Sequence, residues 1–140
     1  MGNVRLAETA GEIKRCFPVM RHLRPDLEAE EFTGRIEAQR MEGFRLAYLE
    51  HEDAVVVVAG FRVQGMLASG KTLYVDDLVT DPGCRSQGHG KTMLDWLVAY
   101  AREDGCETFS LDSGTFRQEA HAFYFREGMR ITSFHFARKL

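Results

Sequence analysis

Between residues 73 and 101 the chain reads LYVDDLVTDPGCRSQGHGKTMLDWLVAYA, an extended run, a glycine-rich turn and a helix in succession. This stretch restricts the fold more than any other. Leu94, Leu97, Val98 and Ala101 recur at helical spacing and give the helix one core-facing stripe. Arg85, Gly88 and Gly90 fall where that helix must begin. A helix start leaves backbone N–H groups unpaired and carries the positive end of the macrodipole. Glycines there let an anion approach the main chain, and Arg85 adds a formal positive charge. The turn therefore reads as a cradle for a phosphate or pyrophosphate.

Spacing separates the phosphate-binding turns that could own such a stretch. GHGKT, residues 88–92, has the tail of a P-loop, but that loop needs glycine at position 85, where Arg85 stands. A dinucleotide fingerprint beginning at Gly88 needs glycine or alanine at position 93, where Met93 stands. The pattern that survives is R/Q-x-x-G-x-G/A. It resembles the coenzyme A pyrophosphate loop of the GNAT superfamily of acyl-CoA-dependent N-acyltransferases, and the preceding LVTDPGCR is similar to that superfamily's strand-to-loop approach.

A length of 140 residues suits a single domain, 1–140, with a sizeable core. A net charge of −3 without a basic cluster gives no electrostatic case for nucleic acid. No apolar run approaches a membrane span, and the N-terminal residues carry no apolar leader. Cys16, Cys84 and Cys106 are an odd, scattered set, which points to free thiols and a cytoplasmic location. Cys16 and Cys106 read as small buried hydrophobes. Cys84 lies in the proposed loop, where no His-plus-carboxylate pattern marks it as a nucleophile.

Taken in order, residues 3–6 form a short strand, and Thr9-x-x-Glu12 is a capping box opening a helix that Pro18 should kink or break. Asp26 is expected to cap a second, largely charged helix over about 27–41, ending at Gly43. A strand over 44–50, with Phe44, Leu46 and Tyr48 on one face, meets a polar turn at His51-Glu52-Asp53. The VVVVAG run in 54–63 suits a strand covered on both faces. A loop over 64–71, a strand over 72–80, the cradle and its helix follow. Trp96 and Tyr100 read as packing residues. A strand over 108–112, a helix over about 118–127 and a final alternating strand over 131–139 complete the chain. The order β-α-α-β-β-β-α-β-α-β predicts a mixed α/β sheet with helices on both sides, and the GNAT fold has the same element order.

A second motif extends the resemblance over nearly the whole chain. Residues 120–129, AHAFYFREGM, are similar to the superfamily's A-x-x-F/L-Y-x-x-x-G-F/M segment, with Ala120, Phe123, Tyr124 and Glu127 on one helical face. The resemblance implies a cofactor, acetyl-CoA, whose pantetheine lies along Leu78, Val79 and Thr80 as an added strand would. A bulge near Leu78 or Val79 would free an N–H to polarise the thioester carbonyl. The pyrophosphate would sit on Arg85, Ser86, Gln87, Gly88, His89, Gly90 and Lys91, with His121 contacting the cofactor or packing near it. Tyr124 matches the tyrosine that protonates the departing thiolate, or else it is a hydrogen-bonded core residue.

The base is less determined by the pattern. In a regular strand Asp76 and Asp77 point to opposite faces, so one of them can face the acceptor. Asp76 shares a face with Tyr74, and the resemblance puts it near a position from which some members of the superfamily supply a base, usually through water, which makes it the expected base. Alternatively both aspartates serve neighbouring loops, and Glu50 and His121 remain weaker candidates. The expected activity is transfer of acetyl from acetyl-CoA to a primary amine of a small molecule or protein. The alternative is a non-catalytic CoA-binding sensor or interaction module on the same fold. Glu28, Glu30, Glu31 and Glu37 suit a cationic acceptor such as a polyamine, and equally a solvated helix. Homodimers are common in the superfamily.

Overall fold

The computed structural model describes residues 3–140. Two compact units make up the chain, one reaching to Ser110 and the other spanning Leu111–Leu140.

The first unit is built on a sheet ordered β1-β2-β3-β4-β5, from β1 (Asn3–Leu6), β2 (Phe44–His51), β3 (Ala54–Met66), β4 (Gly70–Thr80) and β5 (Thr108–Leu111). The first three pairings are antiparallel. β5 follows the helix crossover and starts beside the start of β4, where Glu107 N–H donates to Lys71 O at 2.7 Å, so the sheet is mixed. Helices α1 (Ala10–Leu23) and α2 (Ala29–Arg40) cover one face, where Ile13, Cys16, Met20, Phe32 and Ile36 pack on Phe44, Leu46, Tyr48, Val58 and Val79. The other face takes α3 (His89–Glu103), whose Trp96 and Tyr100 rings stand 6.3 and 5.0 Å from Phe61. Because both faces are covered, Val56, Val57, Val58 and Ala59 are all buried, as their uninterrupted apolar run requires.

The capping box forms. Thr9 Oγ1 accepts from Glu12 N–H, and Glu12 returns an acceptor to the Thr9 amide. Glu12 also accepts from the Tyr48 hydroxyl at 2.9 Å, joining the start of α1 to the sheet. The main-chain donors of Thr9 and Glu8, then Tyr48, hold the Glu12 carboxyl down to about 2.

Several expectations are corrected. α1 runs through Pro18 unbroken, because packing of Ile13, Cys16, Val19 and Met20 outweighs one lost backbone bond. The N-cap position of α2 is Glu28, whose side chain makes no capping bond, and Asp26, the expected cap, lies in the preceding turn. β3 continues to Met66 and β4 starts at Gly70, so most of the expected 64–71 loop is a tight hairpin. In the second unit α4 (Gln118–Arg126) forms as expected, but residues 129–140 form no strand.

Candidate functional site

The turn after β4 is shaped by its own residues. Asp81 Oδ1 accepts from Gly83 N–H at 3.0 Å and Asp81 O accepts from Cys84 N–H at 2.8 Å, closing a short helical turn at Pro82–Cys84. The chain then extends through Arg85 and enters left-handed conformations at Ser86 (φ 65°) and Gly88 (φ 83°) before α3 starts. Gly88 is the N-cap and has no side chain to satisfy the helix start, and no acidic residue occupies the first turn. Among the described residues, the amides of Ser86, Gln87, Gly88, His89 and Gly90 make no backbone hydrogen bond. A side chain built on Gly88 would meet no atom within 4 Å, so the space over these donors is open. Arg85 is exposed and makes no ion pair among the described residues. Successive unpaired donors, a helix N-terminus and a free guanidinium make a fitting seat for a pyrophosphate. His89 adds an imidazole 3.3 Å from Gln87 Oε1, and its ring lies 4.9 Å from that of His51. The turn-tip residue His51 thus stands beside the cradle, which its position in the sequence did not suggest.

The strand that feeds the turn has one edge taken by β3, which pairs Leu78 with Ala59, Val79 with Val58 and Thr80 with Val57. Counted from the Glu107–Lys71 bond, Ser110 falls level with Tyr74, so Leu78, Val79 and Thr80 lie past the end of the four-residue β5.

The bulge in β4 lies further back than expected. Gly60 pairs with Asp77 while Phe61 pairs with Val75, so Asp76 is the extra residue. Leu78 and Val79 remain in register, which corrects the expectation of a bulge there. The bulge also removes the alternation that would send Asp76 and Asp77 to opposite faces. Both line a cavity of about 530 Å³ with Met20, Arg24, Asp26, Arg35, Gln39 and Tyr74, between the α1–α2 connection and the sheet.

The two carboxylates are held differently. Asp76 is gripped by Arg62 through Nε–Oδ1 at 3.1 Å and Nη2–Oδ2 at 2.7 Å, a two-pronged pair. Asp77 accepts from Arg24 Nε at 2.8 Å, and Arg24 Nη2 also donates to Asp76 O at 3.1 Å. Burial pushes the Asp77 carboxyl up, against the opposing pull of Arg24. Gly60 opposite is required by close approach, because a Cβ there would overlap the Phe44 ring and stand 2.8 Å from Asp77 Oδ2. Arg35 lines the cavity and makes no ion pair among the described residues. Glu28, Glu30 and Glu31 do not line it, and Glu37 lines a separate cavity near Arg40 and Arg45. Glu50, a weaker base candidate, is occupied by Arg5 and Arg15.

Sequence reading missed Arg24, Arg35, Arg62 and Gln39. Arg62 had left a sign, as the charged residue in an otherwise apolar strand. Arg24 had left none, because its partner lies 53 residues away.

In the second unit Tyr124 stands on α4 with its ring 5.4 Å from that of Phe123. Burial raises its hydroxyl pKa, partly offset by Arg117. His121 Nε2 lies 2.8 Å from Gly114 O and is held within that unit. Cys16 is buried and its thiol is pushed up to about 12, while Cys84 and Cys106 are half-buried and free. No described helix is long and apolar enough to cross a membrane.

A mixed sheet whose fourth strand carries two cavity-lining carboxylates and leads through a turn of open amides into a helix defines the class of the protein as α/β. Comparison with known proteins agrees. The acetyltransferase (GNAT) family profile matches residues 7–129, and the chain belongs to that family. It is 36% identical over 129 residues, 91% of each chain, to the uncharacterized N-acetyltransferase YhdJ of Bacillus subtilis (strain 168). A shorter match, 36% over 66 residues, covers 47% of this chain and 43% of the aminoalkylphosphonate N-acetyltransferase of Salmonella typhimurium (strain LT2). The fold superposes with a TM-score of 0.83 and 12% identity on the aminoglycoside N-acetyltransferase AAC(6')-Iy in complex with CoA, over 99% of this chain and 96% of that one.

Proposed function

We propose that the chain transfers an acetyl group directly from acetyl-CoA to the primary amine of an acceptor. The observation that carries this reading is the row of unpaired amides at Ser86, Gln87, Gly88, His89 and Gly90, with Arg85 beside them. Lys91, in the first turn of α3 and 3.2 Å from Asp95 Oδ2, is taken as a further cofactor contact by its place in the loop motif. Leu78, Val79 and Thr80 offer main-chain groups to the pantetheine arm, and His121 is taken as a further cofactor contact by motif position. The CoA bound to the aminoglycoside N-acetyltransferase of the same fold supports this choice of carrier.

The acceptor is assigned to the cavity at Asp76 and Asp77. Its ammonium must lose a proton before nitrogen can attack the thioester carbonyl. Asp76, doubly bonded to Arg62, is the anchor of the cavity wall. Asp77, with its carboxyl raised by burial, is the better proton acceptor, directly or through one water. As the C–N bond forms and the C–S bond breaks, Tyr124, assigned by motif position, donates its proton to the leaving thiolate, a task that a hydroxyl kept protonated by burial can perform, and the second proton leaving the acylated nitrogen passes through solvent to restore that hydroxyl.

Arg35 refines the acceptor. An amine that also carries a carboxylate or phosphonate meets Asp77 at one end and Arg35 at the other, whereas a polyamine would place a second cation against Arg24 and Arg35. The name of the aminoalkylphosphonate relative supports that class. A thiol-release assay with acetyl-CoA over a panel of amines tests the proposal. Turnover with aminoalkyl acids above that with polyamines is expected. Thiol release that no amine accelerates would instead favour a CoA-binding module without catalysis.

A further inference from the structure

We propose that Arg24 discriminates between acceptors: it fills the ammonium seat at Asp77 in the empty cavity, and an entering amine displaces it toward an acid group on that same molecule. This assignment rests on the acetyl-transfer reading above. The seat is made of two oxygens at the bulge, Asp77 Oδ1 and the main-chain carbonyl of Asp76. A carboxylate oxygen beside a carbonyl oxygen suits a primary ammonium, which is all donor and no acceptor. In the structure Arg24 takes both, with Nε 2.8 Å from Asp77 Oδ1 and Nη2 3.1 Å from Asp76 O. The protein's own guanidinium thus stands where the nitrogen of an amine assigned to Asp77 has to bind.

The two partners are unequally fixed. The Asp77 side chain is 16% exposed and sits in the β3–β4 ladder, whereas the Arg24 side chain is 49% exposed and follows the last residue of α1. Arg24 is therefore the member that can leave, and an ion pair so open to solvent is weakly held. Once displaced, its charge needs a partner. Arg62 neutralises Asp76, which leaves Arg24 and Arg35 against Asp26 and Asp77 along the cavity lining. A plain alkylammonium that takes Asp77 leaves Asp26 to balance both guanidinium groups. An amine that also bears an acid group brings the missing anion, and a guanidinium grips a carboxylate in two-pronged fashion. Arg24 disfavours the first kind of acceptor and favours the second. Arg35 makes no ion pair among the described residues, so it can do only the latter.

Initial rates with acetyl-CoA and either propylamine or γ-aminobutyrate, the same chain ended by a carboxylate, test the proposal. In the native chain γ-aminobutyrate should have the lower KM. Arg24→Ala should lower the KM for propylamine about 3-fold, by leaving the seat open. It should raise that for γ-aminobutyrate roughly 10-fold, by removing a grip on the carboxylate. Arg24→Gln, uncharged but still able to donate to the Asp76 carbonyl, should cross in the same sense and replaces the alanine variant if that one fails to fold. A merely structural Arg24 would raise both values. KM values that move together, or a propylamine KM that does not fall, overturn the proposal while acetyl transfer stands. A native chain with the lower KM for propylamine overturns it without any variant. Thiol release that neither amine accelerates removes the acetyl-transfer reading itself, and this inference with it.

Discussion

Arg24 holds Asp77 through a 2.8 Å hydrogen bond from Nε to Oδ1, and with its second arm takes the main-chain carbonyl of Asp76 at 3.1 Å. One guanidinium just beyond α1 thereby clamps two consecutive residues of β4 at the bulge that turns both carboxylates into one cavity. The bulge, the clamp and the raised Asp77 carboxyl form one device, and it can be taken apart residue by residue.

Asp77→Asn should lower kcat by roughly 10²-fold or more if Asp77 takes the acceptor's proton, with the affinity for acetyl-CoA unchanged. Asp76→Asn should act chiefly through the cavity wall, by freeing Arg62, and raise KM for the acceptor. Steady-state kinetics beside an equilibrium CoA titration separates the two. Equal kcat in Asp77→Asn and the native chain would remove Asp77 from the proton path.

The pH profile carries a sign. Burial raises the Asp77 carboxyl and Arg24 lowers it. Activity that requires the carboxylate is therefore lost as pH falls through a value above the ordinary Asp range. Arg24→Gln removes the lowering partner, so the acid limb of kcat/KM should move to higher pH. A limb that stays in place or moves down would show that another group sets it.

If its hydroxyl protonates the leaving sulfur, Tyr124→Phe should reduce turnover more than it weakens CoA binding. Measured with thioesters of different leaving-group acidity, the defect should shrink as the thiol becomes more acidic. A defect that does not change across the series would assign Tyr124 a packing role.

Stability should depend on Glu12. Its carboxyl is depressed from 4.5 to about 2 in the folded chain, so the stability it contributes is full above about 4.5 and is lost as pH falls through about 2. Tm followed from pH 6 downward should fall less steeply in Glu12→Gln than in the native chain. Thr9→Ala, which removes the reciprocal cap, should cost about 1 kcal/mol by denaturant unfolding.

The parts of this molecule that were readable in the sequence depend on neighbours in the chain. The Thr9–Glu12 box, the Phe44, Leu46 and Tyr48 face, and the Arg85–Gly90 turn each follow from local spacing, and the structure has all three. What was hidden depends on partners far apart. The register slip that makes Asp76 the extra residue arises between β3 and β4, and neither strand signals it alone. Arg24 meets Asp77 only after α1 has packed on the sheet. Residues 131–139 show the converse, a local strand pattern that finds no ladder in its own chain.

The claim on which the rest depends is that the amides beyond Arg85 hold a diphosphate-bearing acyl carrier. Thermal unfolding of the native chain and of Gly88→Asp, each titrated with acetyl-CoA, CoA and ATP, tests it most directly. The account predicts a native Tm that climbs with acetyl-CoA or CoA, by the equivalent of about 2.7 kcal/mol at a hundredfold excess over Kd. It predicts little response to ATP, and none to CoA in a Gly88→Asp variant that still unfolds cooperatively. A native Tm that ignores both thioester and free CoA, or that responds to ATP alone, would contradict it.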